Sequence, residues 1–396
     1  MASYSGDPED VKPSRPAFWN DPVVRGIFWQ VVVVGGVVVL AAFLVSNTLA
    51  NLARQNIASG FGFFDLESGF AIGEGVIPFE PTNTYLRALV VGLLNTIKVA
   101  VVGIFFATLI GAIVGVMRLS PNWLVAKFAA VYIEALRNIP LLLQLFFWYA
   151  LIVATLPRAK DALGPVLGFY LSNRGLNVPA PDDWAYLGPL VGLLLAVVAI
   201  VILLKRRRRI HDATGEAKPV LLPSIGIFIL FVFLGWAATG FPITIDAPEL
   251  KGFSFQGGVV ISSEFLALWL GLTLYTATFI AEIVRSGIQA VSKGQWEAAG
   301  ALGLTRGQIL RFVVMPQALR VIIPPMTSQY LNLTKNSSLA VAIGYPDIVS
   351  VANTTINQTG QAIEGIAIIM AVYLTLSLSI SLFMNWYNKR IALVER

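Results

Sequence analysis

The chain has no cysteine, a single histidine and few charged residues, which make up 13% of its 396 residues. Without cysteine it can form neither a disulfide nor a thiolate metal site. The lone histidine, His211, follows an arginine run, a position typical of a solvated loop. There is no histidine pair for a metal and no sign of a Ser/His/Asp set. The sequence therefore predicts no metal site and argues against an enzyme.

Hydrophobic residues take the place of the missing charge, since they make up 56% of the chain and the mean hydropathy is +0.74. This is too apolar for a soluble protein of this length. A membrane-spanning helix needs ~20 mostly apolar residues. The sequence predicts an all-α membrane protein, a polytopic bundle of about eight transmembrane helices. The predicted spans are 23–50, 85–117, 124–156, 187–204, 221–240, 264–291, 321–343 and 363–386.

Basic residues predict the orientation, because they mark the cytoplasmic loops of membrane proteins. The basic run 205–209 directly follows the fourth span. With eight spans, both termini share its side, so the tail 1–22, both termini and segment 292–325 are predicted to be cytoplasmic and the loop 51–84 periplasmic. The basic run lacks the interleaved aromatics of a nucleic-acid patch, so membrane lipid is an expected contact and nucleic acid is not.

Segment 292–325 is a polar interruption between two apolar spans, and we predict that it is a docking loop for a partner. Two capping boxes can be written into it, Ser292 with Gln295 and Thr305 with Gln308, in which each pair satisfies free N–H groups at a helix start. The loop is therefore expected to form two short helices, the first over about 293–302.

The first of these helices carries the residues expected to meet the partner. A glycine closes it, because glycine tolerates a left-handed helix end, and small side chains let a partner approach closely. The predicted docking residues are Glu297, Ala298, Ala299 and Gly303.

Two spans carry an acid and a base three residues apart, on one helical face. These are Glu134 with Arg137 in the third span and Glu282 with Arg285 in the sixth. Charged groups are costly in hydrocarbon and normally face protein or water. Each pair is predicted either to hold helices in register as a static ion pair or to act on a transport path. Pro140 is expected to kink the third span.

The seventh span is unusually polar, and its polar residues follow one stripe of a helix. Such a cluster either lines a water-accessible cavity or bonds between helices, and we favour the cavity because intramembrane polar clusters mark pathways. We call these predicted path residues the polar stripe: Gln329, Asn332, Lys335, Asn336, Ser337 and Ser338.

The docking loop also carries the motif of a known family. The series Glu297-Ala298-Ala299, three residues, Gly303, nine residues, Val313, one residue, Met315-Pro316 resembles the EAA loop of ABC importer permeases. Val and Met stand where Ile and Leu are usual. Residues 132–149, 281–325 and 333–344 are similar to the polar amino acid uptake branch of these permeases, which have a MetI-like fold. The two extra spans resemble the larger permease of a general L-amino acid transport system.

The resemblance implies how the chain is divided. Residues 85–156 and 259–390 would form a five-helix permease core, with a cytoplasmic coupling loop at 292–320. Residues 157–258 would be an insertion that adds two transmembrane helices. The protein would lie in the bacterial inner membrane and would form half of a translocation path for L-amino acids.

The resemblance also implies partners. These are a second homologous permease subunit, two ATP-binding subunits and a periplasmic binding protein that delivers an amino acid substrate. The chain has no G-x-x-x-x-G-K-[ST] phosphate loop, so ATP and Mg²⁺ would be bound by the partner ATPase and this chain would have no cofactor of its own. The docking residues would couple the permease to that ATPase.

One alternative stays open, an ion-coupled secondary amino acid transporter that works alone. It would show two halves related by inversion, and the sequence offers only the short Glu-x-x-Arg repeat. The substrate also stays open: Asn336 stands where related permeases commonly have Asp, and a neutral amide has no fixed charge to select one class of amino acid. The amino acids carried, and the subunit that holds them, are not decided by the sequence.

Overall fold

A computed structural model describes residues 19, 21–54, 59–181, 186–215, 219–241, 245–252 and 254–391. Within these residues, seven helices are long and apolar enough to cross a membrane, and a bent helix pair makes eight. The predicted helical bundle is confirmed, whereas the tail 1–22 lies almost wholly outside the described residues. The helices are α1 (Pro22–Arg54), α2 (Tyr85–Met117), α3 (Trp123–Asn138), α4 (Leu141–Thr155), α5 (Leu187–Thr214), α6 (Leu221–Ala238), α7 (Ser263–Gln289), α8 (Lys293–Ala301), α9 (Arg306–Ile309), α10 (Met315–Asn336), α11 (Ile348–Thr359) and α12 (Ala362–Ile391).

The third predicted span is broken at Pro140, where α3 and α4 are bent by 105°. Ile139 is extended because a proline ring disfavours the helical conformation of the preceding residue. The side-chain amide of Gln144 then donates to the carbonyls of Leu136 (2.8 Å) and Ile139 (2.9 Å), which the broken helix leaves free. The expected kink in a continuous span 124–156 is therefore a full change of direction.

Short strands occupy loops for which the sequence predicted no regular structure. A four-stranded antiparallel sheet has the order β1-β2-β3-β8, and two further pairs are β4-β5 and β6-β7. Gly175 begins β3 and pairs with Ser262 of β8, an approach so close that a Cβ on Gly175 would lie 2.1 Å from the Ile261 carbonyl oxygen. The strands are β1 (Leu163–Val166), β2 (Phe169–Ser172), β3 (Gly175–Val178), β4 (Ala180–Pro181), β5 (Ile245–Asp246), β6 (Glu249–Lys251), β7 (Ser254–Gln256) and β8 (Val259–Ser262).

The sheet gives the bundle two distinct ends. α7 starts directly after β8 and ends just before α8, so it runs from the end with the sheet to the end with α8 and α9. We call these the sheet end and the coupling end. The pairing of β3 with β8 joins the predicted insertion 157–258 to the start of α7, which the sequence placed in the permease core.

The centre of the bundle is built where α2 and α7 pack closely. A Cβ on Gly111 would lie 2.6 Å from Ile280, and one on Gly115 would lie 2.6 Å from the Ala281 carbonyl oxygen. Small residues of this kind let membrane helices approach closely. α4 and α10 complete the same core, whose most buried members include Val99, Ala107, Leu145, Leu268, Leu272, Ile280 and Leu333.

The helices predicted to lie outside the permease core are largely exposed, as is α12 within that core. The most apolar part of α1 has no buried residue, and neither has any part of α6. α5 and α6 pack on each other through glycines: a Cβ on Gly192 would lie 2.3 Å from the Phe231 carbonyl oxygen. Their outward faces remain apolar and exposed, as lipid-facing helices require.

Candidate coupling surface and transport path

The docking loop forms the two predicted short helices, but only one of the two predicted capping boxes. At the start of α9 the box is present, and the Thr305 backbone N–H donates to Gln308 Oε1 at 2.9 Å. At the start of α8 the Ser292 side chain makes no capping bond, and Gln295 Oε1 instead accepts from Gln317 Nε2 at 3.1 Å. The prediction for Ser292 is wrong because tertiary contact with α10 engages its partner.

The docking residues on α8 divide between two faces. Glu297 and Ala298 are exposed, whereas Ala299 is only 4% exposed and packs into the core. Ala299 therefore packs α8 against the bundle, whereas the sequence had led us to expect an exposed docking residue. Gly303 has φ +78° and ends the helix, which confirms its predicted left-handed conformation.

Leu302 extends the exposed face of α8, and the sequence analysis missed it. Its side chain is 81% exposed, the largest exposure of an apolar residue at the coupling end. Its position directly before the helix-ending glycine was the available signal, because it places an apolar side chain at the end of a helix in a polar loop. We call Glu297, Ala298 and Leu302 the coupling face.

The second short helix continues into the seventh span without a break. Leu310–Val314 forms a π-helical turn between α9 and α10, so one helical rod runs over Arg306–Ile343. Pro316 lacks the N–H that an α-helix would use, and a π turn before it is a common adjustment for such a defect. The rod joins the coupling end directly to the polar stripe.

The polar stripe separates into bonded and unbonded side chains. Ser337 is buried and donates to the Thr334 carbonyl at 2.7 Å, and Ser338 donates to the Lys335 carbonyl at 2.8 Å. Among the described residues, the side chains of the other four members form no hydrogen bond. Those four are Gln329 and Asn336, which are half-buried, and Asn332 and Lys335, which are exposed.

The two predicted ion pairs differ. Glu282 and Arg285 form a two-pronged pair with two 2.9 Å bonds inside α7. Glu134 and Arg137 lie on the facing α3 but form no ion pair within 4.0 Å in the described part of the chain; the Arg137 guanidinium lies 4.7 Å from the centre of the Phe279 ring. Both pairs border one region, since a cavity of about 280 Å³ between α3 and α7 is lined by Glu134, Arg137 and Glu282.

The sheet end holds a polar cluster that the sequence analysis missed. Glu74, from the loop before α2, forms an ion pair with Lys98 and accepts the Ser262 N–H at 3.1 Å. Asn95 donates to the carbonyls of Glu74 (2.8 Å) and Pro346 (2.9 Å). The signal was present, because Asn95 and Lys98 lie inside the second span, where polar residues are costly unless they face protein or water.

A helical bundle with an exposed docking helix at one end and an unbonded polar stripe along one span has the features of a membrane transport subunit. Residues 218–393 match the family described as "Binding-protein-dependent transport system inner membrane component". The chain is 50% identical to the "General L-amino acid transport system permease protein AapQ" of Rhizobium johnstonii over 98% of both chains.

Two further relatives match over almost their whole length. The chain is 47% identical to the "Putative amino-acid ABC transporter permease protein YhdX" of Escherichia coli, over 95% of this chain and 96% of that one. It is 41% identical to the "Glutamate/glutamine/aspartate/asparagine transport system permease protein BztB" of Rhodobacter capsulatus, over the same shares. The chain therefore belongs to the family of inner-membrane permeases of binding-protein-dependent ABC transport systems.

Proposed function

We propose that this chain is a permease subunit of an ATP-driven importer of L-amino acids. The observation that carries the proposal is the rod Arg306–Ile343, which connects the coupling end to the unbonded polar stripe. Force applied by an ATPase at α8 and α9 would reach the stripe through this one continuous helix. The relatives' names, which specify amino acids, support the substrate class.

The coupling face would dock on a separate ATP-binding subunit, of which the complex would contain two. Glu297 and Ala298 are exposed there, and Leu302 leaves an apolar side chain uncovered in a polar loop. Covering such a residue favours association. ATP and Mg²⁺ would be held by the partner, and Ala299 would transmit the contact to the bundle.

A second homologous permease subunit would cover the polar stripe. Asn332 and Lys335 are exposed on a spanning helix, where contact with lipid would leave donors without partners. Pairing two stripes across a water-filled path would hydrate them and offer amide and ammonium groups to an amino acid carboxylate. Half of the translocation path would then belong to each permease.

Both termini would be cytoplasmic, with the sheet end facing the periplasm and its binding protein. The basic residues 205–209 lie in the last turns of α5, on the same side of the membrane as the coupling end if each span crosses once. The pairing of β3 with β8 agrees with this, since it requires the loops before α5 and after α6 to share a side.

The test is reconstitution of the purified complex in proteoliposomes. With the permease pair, the ATPase and the binding protein present, radiolabelled L-amino acids should accumulate only when ATP is on the ATPase side. The matched control is this chain alone in identical vesicles with a proton or sodium gradient. Uptake by the chain alone, without ATP, would overturn the proposal in favour of a secondary transporter.

A further inference from the structure

A cleft of about 770 Å³ opens at the coupling end, between the α2–α3 connection and the two docking helices. Its lining residues include no member of the polar stripe and none of the coupling face. The apolar side chains that line it are Val116, Met117, Leu119, Pro121, Val125, Ile288, Trp296 and Leu310. A cleft of this volume is in the range of small-molecule sites.

Only two charged side chains line the cleft, Lys293 and Arg306, and both are cations. Both are exposed, and in the described part of the chain neither has a carboxylate within 4.0 Å. No acidic residue is among the lining residues. The cleft therefore combines an apolar interior with two uncompensated positive charges, which is complementary to an amphiphile with an anionic head.

The position of the cleft favours a membrane lipid over a soluble amphiphile. On the adjoining helix α3, Trp123 is 73% exposed, Leu124 68% and Phe128 68%. Val116, which lines the cleft on α2, is itself 43% exposed. Exposed apolar residues on spanning helices contact acyl chains, and tryptophan concentrates at the membrane–water interface. The cleft thus lies where the bilayer surface meets the docking loop.

We propose that this cleft binds one anionic phospholipid, with its phosphate at Lys293 and Arg306 and an acyl chain along the apolar wall. Basic pockets between spanning helices on the cytoplasmic side take anionic headgroups by the same chemistry. The coupling face does not line the cleft, so the ATPase and the lipid would contact different surfaces of α8. The lipid would bridge the docking helices to the α2–α3 connection.

Native mass spectrometry of the purified complex tests the proposal. The complex is stripped of lipid and then titrated with phosphatidylglycerol, with phosphatidylcholine of identical acyl chains, or with soluble glycerol phosphate. Phosphatidylglycerol should be retained as an added mass on this chain, and the other two should not. The variant Lys293→Gln/Arg306→Gln should weaken retention about 25-fold, since each basic residue near an anionic surface contributes about five-fold.

The matched control is Lys127→Gln/Arg311→Gln, which removes two exposed cations at the coupling end that do not line the cleft. This variant should retain phosphatidylglycerol as the unmodified complex does. If both double variants lose phosphatidylglycerol equally, the lipid is held by general surface charge and not by this cleft, which would overturn the proposal. Equal retention of phosphatidylcholine, or full competition by glycerol phosphate, would also overturn it.

A second variant tests the cleft without changing charge. A Cβ on Gly307 would meet no atom within 4 Å, so a side chain can start there, and Gly307→Trp would place a ring at the cleft wall. The filled cleft should lose phosphatidylglycerol while the complex keeps its thermal unfolding midpoint. Retention of the lipid in a stably folded Gly307→Trp complex would show that it binds elsewhere.

Discussion

The two ends of the bundle differ in how they hold an acidic side chain. At the sheet end, Glu74 and Asn95 are buried and bonded within the chain, to Lys98 and to backbone groups. At the coupling end, Glu297 is exposed without an ion pair in the described part of the chain. The acid at the sheet end is paired within the chain, whereas the acid on the coupling face is open to a partner.

The end that is free to move is the one whose charged group is exposed and unpaired. Glu74 is buried and would become an uncompensated charge without Lys98, so the sheet end resists rearrangement. Exposed, unpaired groups lose little when they move. The coupling end can therefore be displaced by a partner while the cluster around Glu74 keeps the loop 59–84 attached to α2.

The largest effect is expected from breaking the Glu74–Lys98 pair at the sheet end, in which Glu74 is buried and Lys98 is half-buried. Lys98→Met leaves Glu74 without its cation and should lower the free energy of unfolding by about 3 kcal/mol. Thermal unfolding of the purified protein in detergent measures it. The double variant Lys98→Met/Glu74→Gln removes both charges and should recover most of the loss. If single and double variants unfold alike, the charge pair does not hold this end together.

A functional effect of somewhat smaller free energy is expected at the coupling face. Glu297→Arg should reduce ATP-dependent uptake by the reconstituted complex about 30-fold, within the range of typical coupling energies, while the amount of protein in the membrane is unchanged. The matched control is Glu249→Arg, a charge reversal of an exposed acid at the sheet end. Unchanged uptake in Glu297→Arg would remove the coupling face from the mechanism.

Composition and pattern predicted the parts of the fold that depend on local physics. Spans follow from apolar length, and Gly303 and the Thr305 cap follow from backbone preferences. Two adjacent alanines show what local pattern cannot predict. Ala298 and Ala299 are chemically identical and differ only by about 100° around the helix, so only the packing of α8 decides that one is exposed and the other buried.

Long-range contacts account for the other features that the sequence did not predict. Gln295 satisfies the capping-box pattern, but its side chain bonds to a residue 22 positions away. β3 pairs with β8 across more than 80 residues, and strands of three or four residues carry too little pattern to be recognised. The cluster around Lys98 was within reach, because its polar residues interrupt an otherwise apolar span.

A further contrast concerns the polar stripe, where bonded and unbonded members should respond differently. Asn332→Leu should lower uptake about ten-fold with little loss of assembled complex, since the exposed amide would serve the path rather than the fold. Ser338→Ala, which removes only a bond to the Lys335 carbonyl, is the control and should change uptake less than two-fold. Equal losses of uptake and of assembled complex in Asn332→Leu would indicate that this amide bonds between subunits.

The smallest expected effect is a difference in local stability between the start of α9, which has a capping box, and the start of α8, which has none. Gln308→Ala removes the bond to the Thr305 N–H and should cost about 1 kcal/mol locally. Hydrogen exchange at the first amides of α9 should then accelerate about five-fold, because a loss of about 1 kcal/mol raises the population of the locally open state by that factor. Gln295→Ala is the matched control, since no capping box forms at Ser292 and only the contact with Gln317 is lost. Faster exchange at the start of α8 in Gln295→Ala, equal to that at α9 in Gln308→Ala, would mean that both caps stabilise the loop in solution.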